Sequence, residues 1–341
     1  MAFGRSSTLQ VGYVGDHAIH QLANYDVNWV PQSQWLNAAF APGGDINPLR
    51  RFAGWNGMGW WLNNGDANYN SLQILYKLQL QKFQLQAAYT WSHSIGDVNA
   101  LDSASGFGSD SYTWGPHPGL DRGNTAINRP QIFVSNAIYY LPDLKHSNAF
   151  VRSAVGGWEL AGITNYSSGA STTLFPGVSD PTGSGFSSLV GSGGYSRPLI
   201  TGIPCGPVAG PQIFNPAALT VVGYVIGTLP AGMAPRGYCR GPAYLSTDFS
   251  IDKNWRLRGE NFRLQFRLDF FNLFNHPNFR SDINTGFNAY VNCGPPDAVG
   301  MYQPCSPTNN VISHQAIQQP TGSSTQTMGA RELQYGLKLI F

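Results

Sequence analysis

The residues that could make or break bonds are few: four cysteines, seven histidines and some glycine- and serine-rich stretches. Cys205 and Cys239 lie between one pair of apolar runs, and Cys293 and Cys305 between another. Four cysteines permit three pairings; the local pairs are favoured because each stays within one connecting segment, and an oxidising compartment would let them persist. Closing the Cys293 to Cys305 spacing would contribute roughly 3 kcal/mol on the chain-entropy model. Metal ligation is the sharper reading, but no CxxC spacing or neighbouring histidine supports it, so disulfides are expected ahead of free thiols and of a metal. His17, His20, His93, His117, His146, His276 and His314 show no ligand spacing such as HExxH and read as solvated. "GSGGYSRP" and "GFSSLVGSG" hold pieces of glycine-rich and nucleophile-elbow motifs without the strand-to-helix context either needs. No cofactor and no enzymatic chemistry are expected.

What positions these residues is a set of period-two runs. "NYNSLQILYKLQLQKFQLQAAYTWSHS" places Leu72, Ile74, Tyr76, Leu78 and Leu80 on one face and Ser71, Gln73, Lys77 and Gln79 on the other. After a tight turn near Gln81 and Lys82, the pattern restarts on Phe83, Leu85, Ala87, Tyr89 and Trp91. "NFRLQFRLDFFNLFNHPNF" sets Phe262, Leu264, Phe266, Leu268 and Phe270 against Arg263, Gln265, Arg267 and Asp269, with a bulge expected at Phe270 and Phe271. Leu245, Thr247, Phe249 and Ile251 alternate with Ser246, Asp248, Ser250 and Asp252. The chain closes on "RELQYGLKLIF", where Leu333, Tyr335, Leu337, Leu339 and Phe341 share a face. Weaker strands read at 7–14, 18–28, 130–141 and 157–172, which brings the count to about nine.

Bulk properties restrict the environment of these strands. Charged residues make up 11% of the chain, against a usual share of about 25%. A net charge of +2 gives no case for nucleic acid. No run of about 18 apolar residues occurs, which excludes a helical span, whereas a barrel whose strands alternate keeps its mean hydropathy near neutral, as the −0.19 here is. The connections are more telling. Short ones near 15–17, 80–82, 142–156 and 256–260 alternate strictly with long ones over 29–67, 93–129, 173–242 and 277–327. Barrels of the outer membrane have this asymmetry, with short periplasmic turns and long extracellular loops. An odd strand count with a periplasmic end at Phe341 would put Met1 outside the cell, and the start lacks the features of a secretory signal. The expectation is therefore a partial barrel domain over 1–341, the C-terminal part of a larger one, with a miscounted weak strand as the alternative source of the odd number.

Taken in order, "LQVGYVGDHAIHQLANYDVN", "NYNSLQILYKLQLQKFQLQAAYTWSHSIGD", "DRGNTAINRPQIFVSNAIYYLP", "GGWELAGITNYSSG", "RGPAYLSTDFSIDKNWRL", "LQFRLDFFNLFNHPNF" and "RELQYGLKLIF" resemble the C-terminal barrel half of TonB-dependent outer-membrane receptors, specifically the Oar-like group with a carboxypeptidase-regulatory-like N-terminal domain. The resemblance implies a transporter in the bacterial outer membrane, an all-β antiparallel barrel of the type with about 22 strands, and uptake of a bulky nutrient such as a siderophore or oligosaccharide. Signal peptide, small β-sandwich domain and plug would lie upstream. It also implies partners: membrane lipid, the TonB energy-coupling system acting through the plug, and the barrel assembly machinery, whose signal the alternating C-terminal strand ending in Phe341 resembles.

On this reading Gln73, Lys77, Arg263, Gln265, Arg267 and Asp269 face the lumen. Trp60, Trp61, Trp91, Trp158, Trp255, Phe271 and Phe274 form interfacial girdles, with a sugar-stacking platform at "GWNGMGWW" as the alternative. A passive porin or adhesin-like barrel, and a secreted soluble β protein, are the competing classes.

Overall fold

In the computed structural model the described residues are 6–39, 41–42, 45–97, 118–144, 146–173, 197–206, 215–220, 225, 227–229, 231–258, 262–278 and 330–340. They form an all-β protein with few and short helices. Eight long strands carry it: β1 (Ser7–Asp26), β2 (Gly59–Gln79), β3 (Phe83–Gly96), β4 (Gln131–Tyr140), β5 (Trp158–Ser167), β6 (Tyr244–Arg258), β7 (Phe262–Phe271) and β8 (Glu332–Ile340). Each pairs antiparallel with its sequence neighbours in one continuous sheet ordered β1 to β8, and the two-residue strand Gly123–Asn124 is attached to β3. Three of the seven pairs are joined by short links, which close at the least entropic cost, and the four joined by long links follow the general preference of sequence-adjacent strands to pair.

The two strands expected at 7–14 and 18–28 are one. Gly15, Asp16 and His17, which read as a turn, pair with Asn70, Tyr69 and Asn68 in unbroken register. A long partner strand supplies ladder hydrogen bonds that outweigh their local turn preference. The irregularity lies further on, between Ala18 and Gln21, where His20 takes a left-handed φ of 58° and absorbs an extra residue as a bulge. The described residues thus hold eight long strands, an even number. β1 begins and β8 ends on the side of the short links, and the long links 27–58, 97–130, 168–243 and 272–331 all lie at the other end.

Other boundaries differ in the same direction. β2 starts at Gly59 rather than near residue 68, so the first long link is shorter than expected. The expected strand 157–172 stops at Ser167, and Ser171–Thr172 pairs separately with Cys239–Arg240. No bulge interrupts Phe270 and Phe271, which stay in register with Leu333 and Glu332; the shift occurs between Arg256 and Arg258. The short link 141–157 contains a helix, α2 (Ala149–Val155), capped by Asn148, whose side chain accepts from the Val151 N–H.

The packed core lies among the long links, not on the sheet. Val30, Trp35 and Ala38, around the short helix α1 (Trp35–Ala39), are buried together with Trp29, Ile46, Leu49, Leu120, Leu229 and Met233 against them. Three long links thus share one core, which makes a folded head on that end of the sheet.

Candidate functional site

The register sorts the two faces of the sheet. One cross-strand row runs Val11, Ile74, Tyr89, Phe133, Tyr166, Leu245; another runs Phe83, Tyr139, Leu160, Ile251, Leu268, Tyr335. These rows are apolar or aromatic across six strands each, and their large members are exposed or half-buried, with nothing among the described residues covering them. An apolar face of this extent is stable only against another apolar medium. From Leu72 on β2 to Leu80, just past its end, the band measures about 26 Å, close to the height of a bilayer core.

Aromatic residues bound this band. Tyr13 and Trp91 flank Leu72 at its upper limit, above which the same face turns polar at Asn70, His93, His17 and Asp66. At the lower limit stand Phe83 against Tyr139 and Trp158 against both Trp255 and Phe266, all edge to face. Trp60, Trp61, Phe271 and Phe274 lie at the long-link ends of β2 and β7, and all four are exposed.

The opposite face carries the polar residues. Thr8, Lys77, Gln86, Asn136, Ile163 and Asp248 form one row, and Gln79, Gln84, Ile138, Ala161, Ser250, Asp269 and Gln334 another. Glu159, Asp252 and Arg267 stand side by side on successive strands. Arg267 donates to both oxygens of Asp269, at 3.0 and 2.8 Å, and Ser250 donates to Asp269 from across the pair. Gln73, Lys77, Arg263, Gln265, Arg267 and Asp269 thus share this face, Gln73 and Lys77 on β2 and the other four on β7. Between β2 and β5 it is hollowed by a concavity of about 380 Å³, lined in part by Lys77, Gln84, Gln86, Asn136 and Ile163. Towards the head it becomes covered, since Ser71, Ser92 and Ser94 on this face are buried.

The head is held by buried charge. Arg50 donates to Asp26 at 2.9 Å and to the Asn28 carbonyl at 2.7 Å, while Asn28 donates to the carbonyls of Phe52, Trp55 and Asn56. Asp121, fully buried, pairs with Arg197 at 3.0 Å and Arg236 at 3.4 Å. Cys205 and Cys239 are joined by a disulfide. Cys293, Cys305 and Phe341 lie outside the described residues, whereas Leu333, Tyr335, Leu337 and Leu339 occupy the apolar face of β8. The ion pairs escaped sequence reasoning because partners such as Asp121 and Arg197 are 76 positions apart. Helix α2 had a readable mark, an Asn cap before apolar residues and a closing Gly156.

The histidines serve separately. His17 pairs with Asp66, His20 with the Asn63 carbonyl and His93 with Asn124. Asp66 also accepts from Arg122 at 2.8 Å; that hydrogen bond, then the one from His17, holds its carboxyl below the usual aspartate range. Arg240, beside the disulfide, has its pKa lowered by burial.

Over residues 1–334 the chain matches a family model described as an outer membrane beta barrel domain. No curated protein and no solved structure matches it.

Proposed function

Given that the chain belongs to the outer membrane beta barrel domain family and therefore resides in the bacterial outer membrane, we propose that it is the C-terminal barrel part of a TonB-dependent receptor that takes up a bulky nutrient. The observation that carries this reading is the polar face. A closed barrel of about eight strands has an interior just wide enough for its side chains to fill. Here Gln73, Lys77, Arg263 and Arg267 remain exposed on that face, and a hollow opens across four strands. Such a surface suits the wall of a wide lumen, completed by further strands between the free edges of β1 and β8.

In this role the polar residues line the path of a siderophore or oligosaccharide, or contact a plug, and the head forms the outer vestibule. The seven ordered stretches that resemble Oar-like receptors support the same assignment. Transport, not bond chemistry, is the work proposed. Energy would arrive from TonB through the plug, and β8 would present the signal to the assembly machinery. A passive or adhesin-like surface barrel is the second reading, favoured by Phe52, Trp55 and Trp60 exposed at the head end.

The test is in vivo crosslinking of the native protein to TonB, with and without dissipation of the inner-membrane proton gradient. A TonB adduct whose yield responds to the gradient supports the receptor. Its absence, with the protein folded in the outer membrane, favours the passive barrel.

A further inference from the structure

The link between β4 and β5 is longer than a turn needs to be, and its helix is placed unexpectedly. Three side chains reach it from the apolar face of the sheet: Trp158 Nε1 donates to the Ala154 carbonyl at 2.9 Å, Trp255 Nε1 donates to the Ser153 carbonyl at 2.9 Å, and Lys253 Nζ donates to the Gly156 carbonyl. Trp158 and Lys253 are register partners on that face, and Trp255 lies two residues along β6. The C-terminal end of α2 therefore sits on the lipid side of β5 and β6, not beneath the lumen.

Lys253 would be costly in a lipid-facing row were it not shielded. It is 3% exposed, and its ammonium lies 5.3 Å from the Trp158 ring and 5.6 Å from the Trp255 ring. The last carbonyls of a helix ordinarily rely on water. Three of them here take indole or ammonium donors instead, an arrangement suited to a place where water is scarce. Meanwhile Phe150 is 81% exposed and Val155 54% exposed, with Arg152 exposed in the last turn. These side chains stand on a helix whose end is tied to Trp158 and Trp255 of the lower aromatic rim, a pairing of exposed apolar groups with a cation that suits a headgroup region.

We propose that α2 is a membrane-embedded foot, which lies in the headgroup region of the periplasmic leaflet with Phe150 and Val155 in the acyl boundary and Arg152 towards phospholipid phosphate. The proposal rests on the outer-membrane reading, because short links face the periplasm in such barrels. It makes the foot a lipid-anchored stop that fixes the depth of β5 and β6.

A photoreactive benzoylphenylalanine in place of Phe150, and separately of Val155, tests it in full-chain protein in native outer membranes. Ile74, in the middle of the apolar band, and Lys82, in the β2 to β3 turn, are the controls. Phospholipid adducts at 150 or 155, as at 74 and unlike at 82, are the expected result. Adducts to a second copy or to a periplasmic protein, or yields at both positions no higher than at 82, overturn it. If position 74 also fails to label lipid, the outer-membrane reading falls together with the foot.

Discussion

Leu337 on β8 stands directly opposite Phe266 on β7, yet it is 68% exposed, because no described strand flanks β8 on its other side. The same holds at the opposite edge, where Val11 faces Ile74 and is otherwise open. An unpaired edge in lipid leaves backbone groups unsatisfied at several kcal/mol each. The edge amides of β8 are therefore expected to be paired in the membrane. Hydrogen exchange on native outer membranes should show uniform protection over 333–339; protection at alternate amides only would mean that the edge stays free.

Asp121 and Arg197 have side-chain exposures of 0% and 1%, and Arg236 also pairs with Asp121, so replacing Asp121 takes the one shared carboxylate away from both arginines. Asp121→Ala should destabilise the head by about 3–5 kcal/mol. Limited proteolysis of intact cells should show faster cleavage around residues 197–243, with the strands still protected.

The Cys205 to Cys239 disulfide closes a sequence separation of 34 residues. On the chain-entropy model it contributes up to about 4 kcal/mol to the head. Cys205→Ser should lower the thermal midpoint of head unfolding, and a reductant should lower it more in the parent protein than in the variant.

Asp66 lies above the lipid band, where it accepts from Arg122 and pairs with His17. Its folded pKa is depressed below the ordinary 3.8, first by the hydrogen bond from Arg122 and then by that from His17. The stability it contributes is thus present above the unfolded value and lost as pH falls through the lower folded value. Asp66→Asn should loosen the segment around Arg122 at neutral pH. The difference from the parent, read by proteolysis, should shrink as the medium is acidified below the usual aspartate range.

The parts legible in the sequence were those where the solvent differs on the two faces. Leu72 to Leu78, Phe262 to Phe270 and Leu333 to Leu339 alternate because lipid meets one side and water the other, and the register places them as read, whereas Leu80 lies just past the end of β2. Gly15 to His17 have local turn preferences, and it is the long partner strand, invisible in a local window, that draws them into the ladder. Lys253 breaks the alternation after Ile251, and only the position of α2 explains why it is tolerated. The head was illegible for a different reason: Val30, Trp35, Leu120 and Met233 come from three links, and no local pattern marks residues that meet across such distances.

The most direct test of the receptor reading is the size of the native polypeptide in isolated outer membranes, detected by an antibody raised against residues 231–243 under denaturing conditions. A single band far above 37.0 kDa, carrying the additional strands and the plug, is expected. A membrane band at 37.0 kDa, with no larger species, would contradict it and leave a small barrel or an oligomeric one.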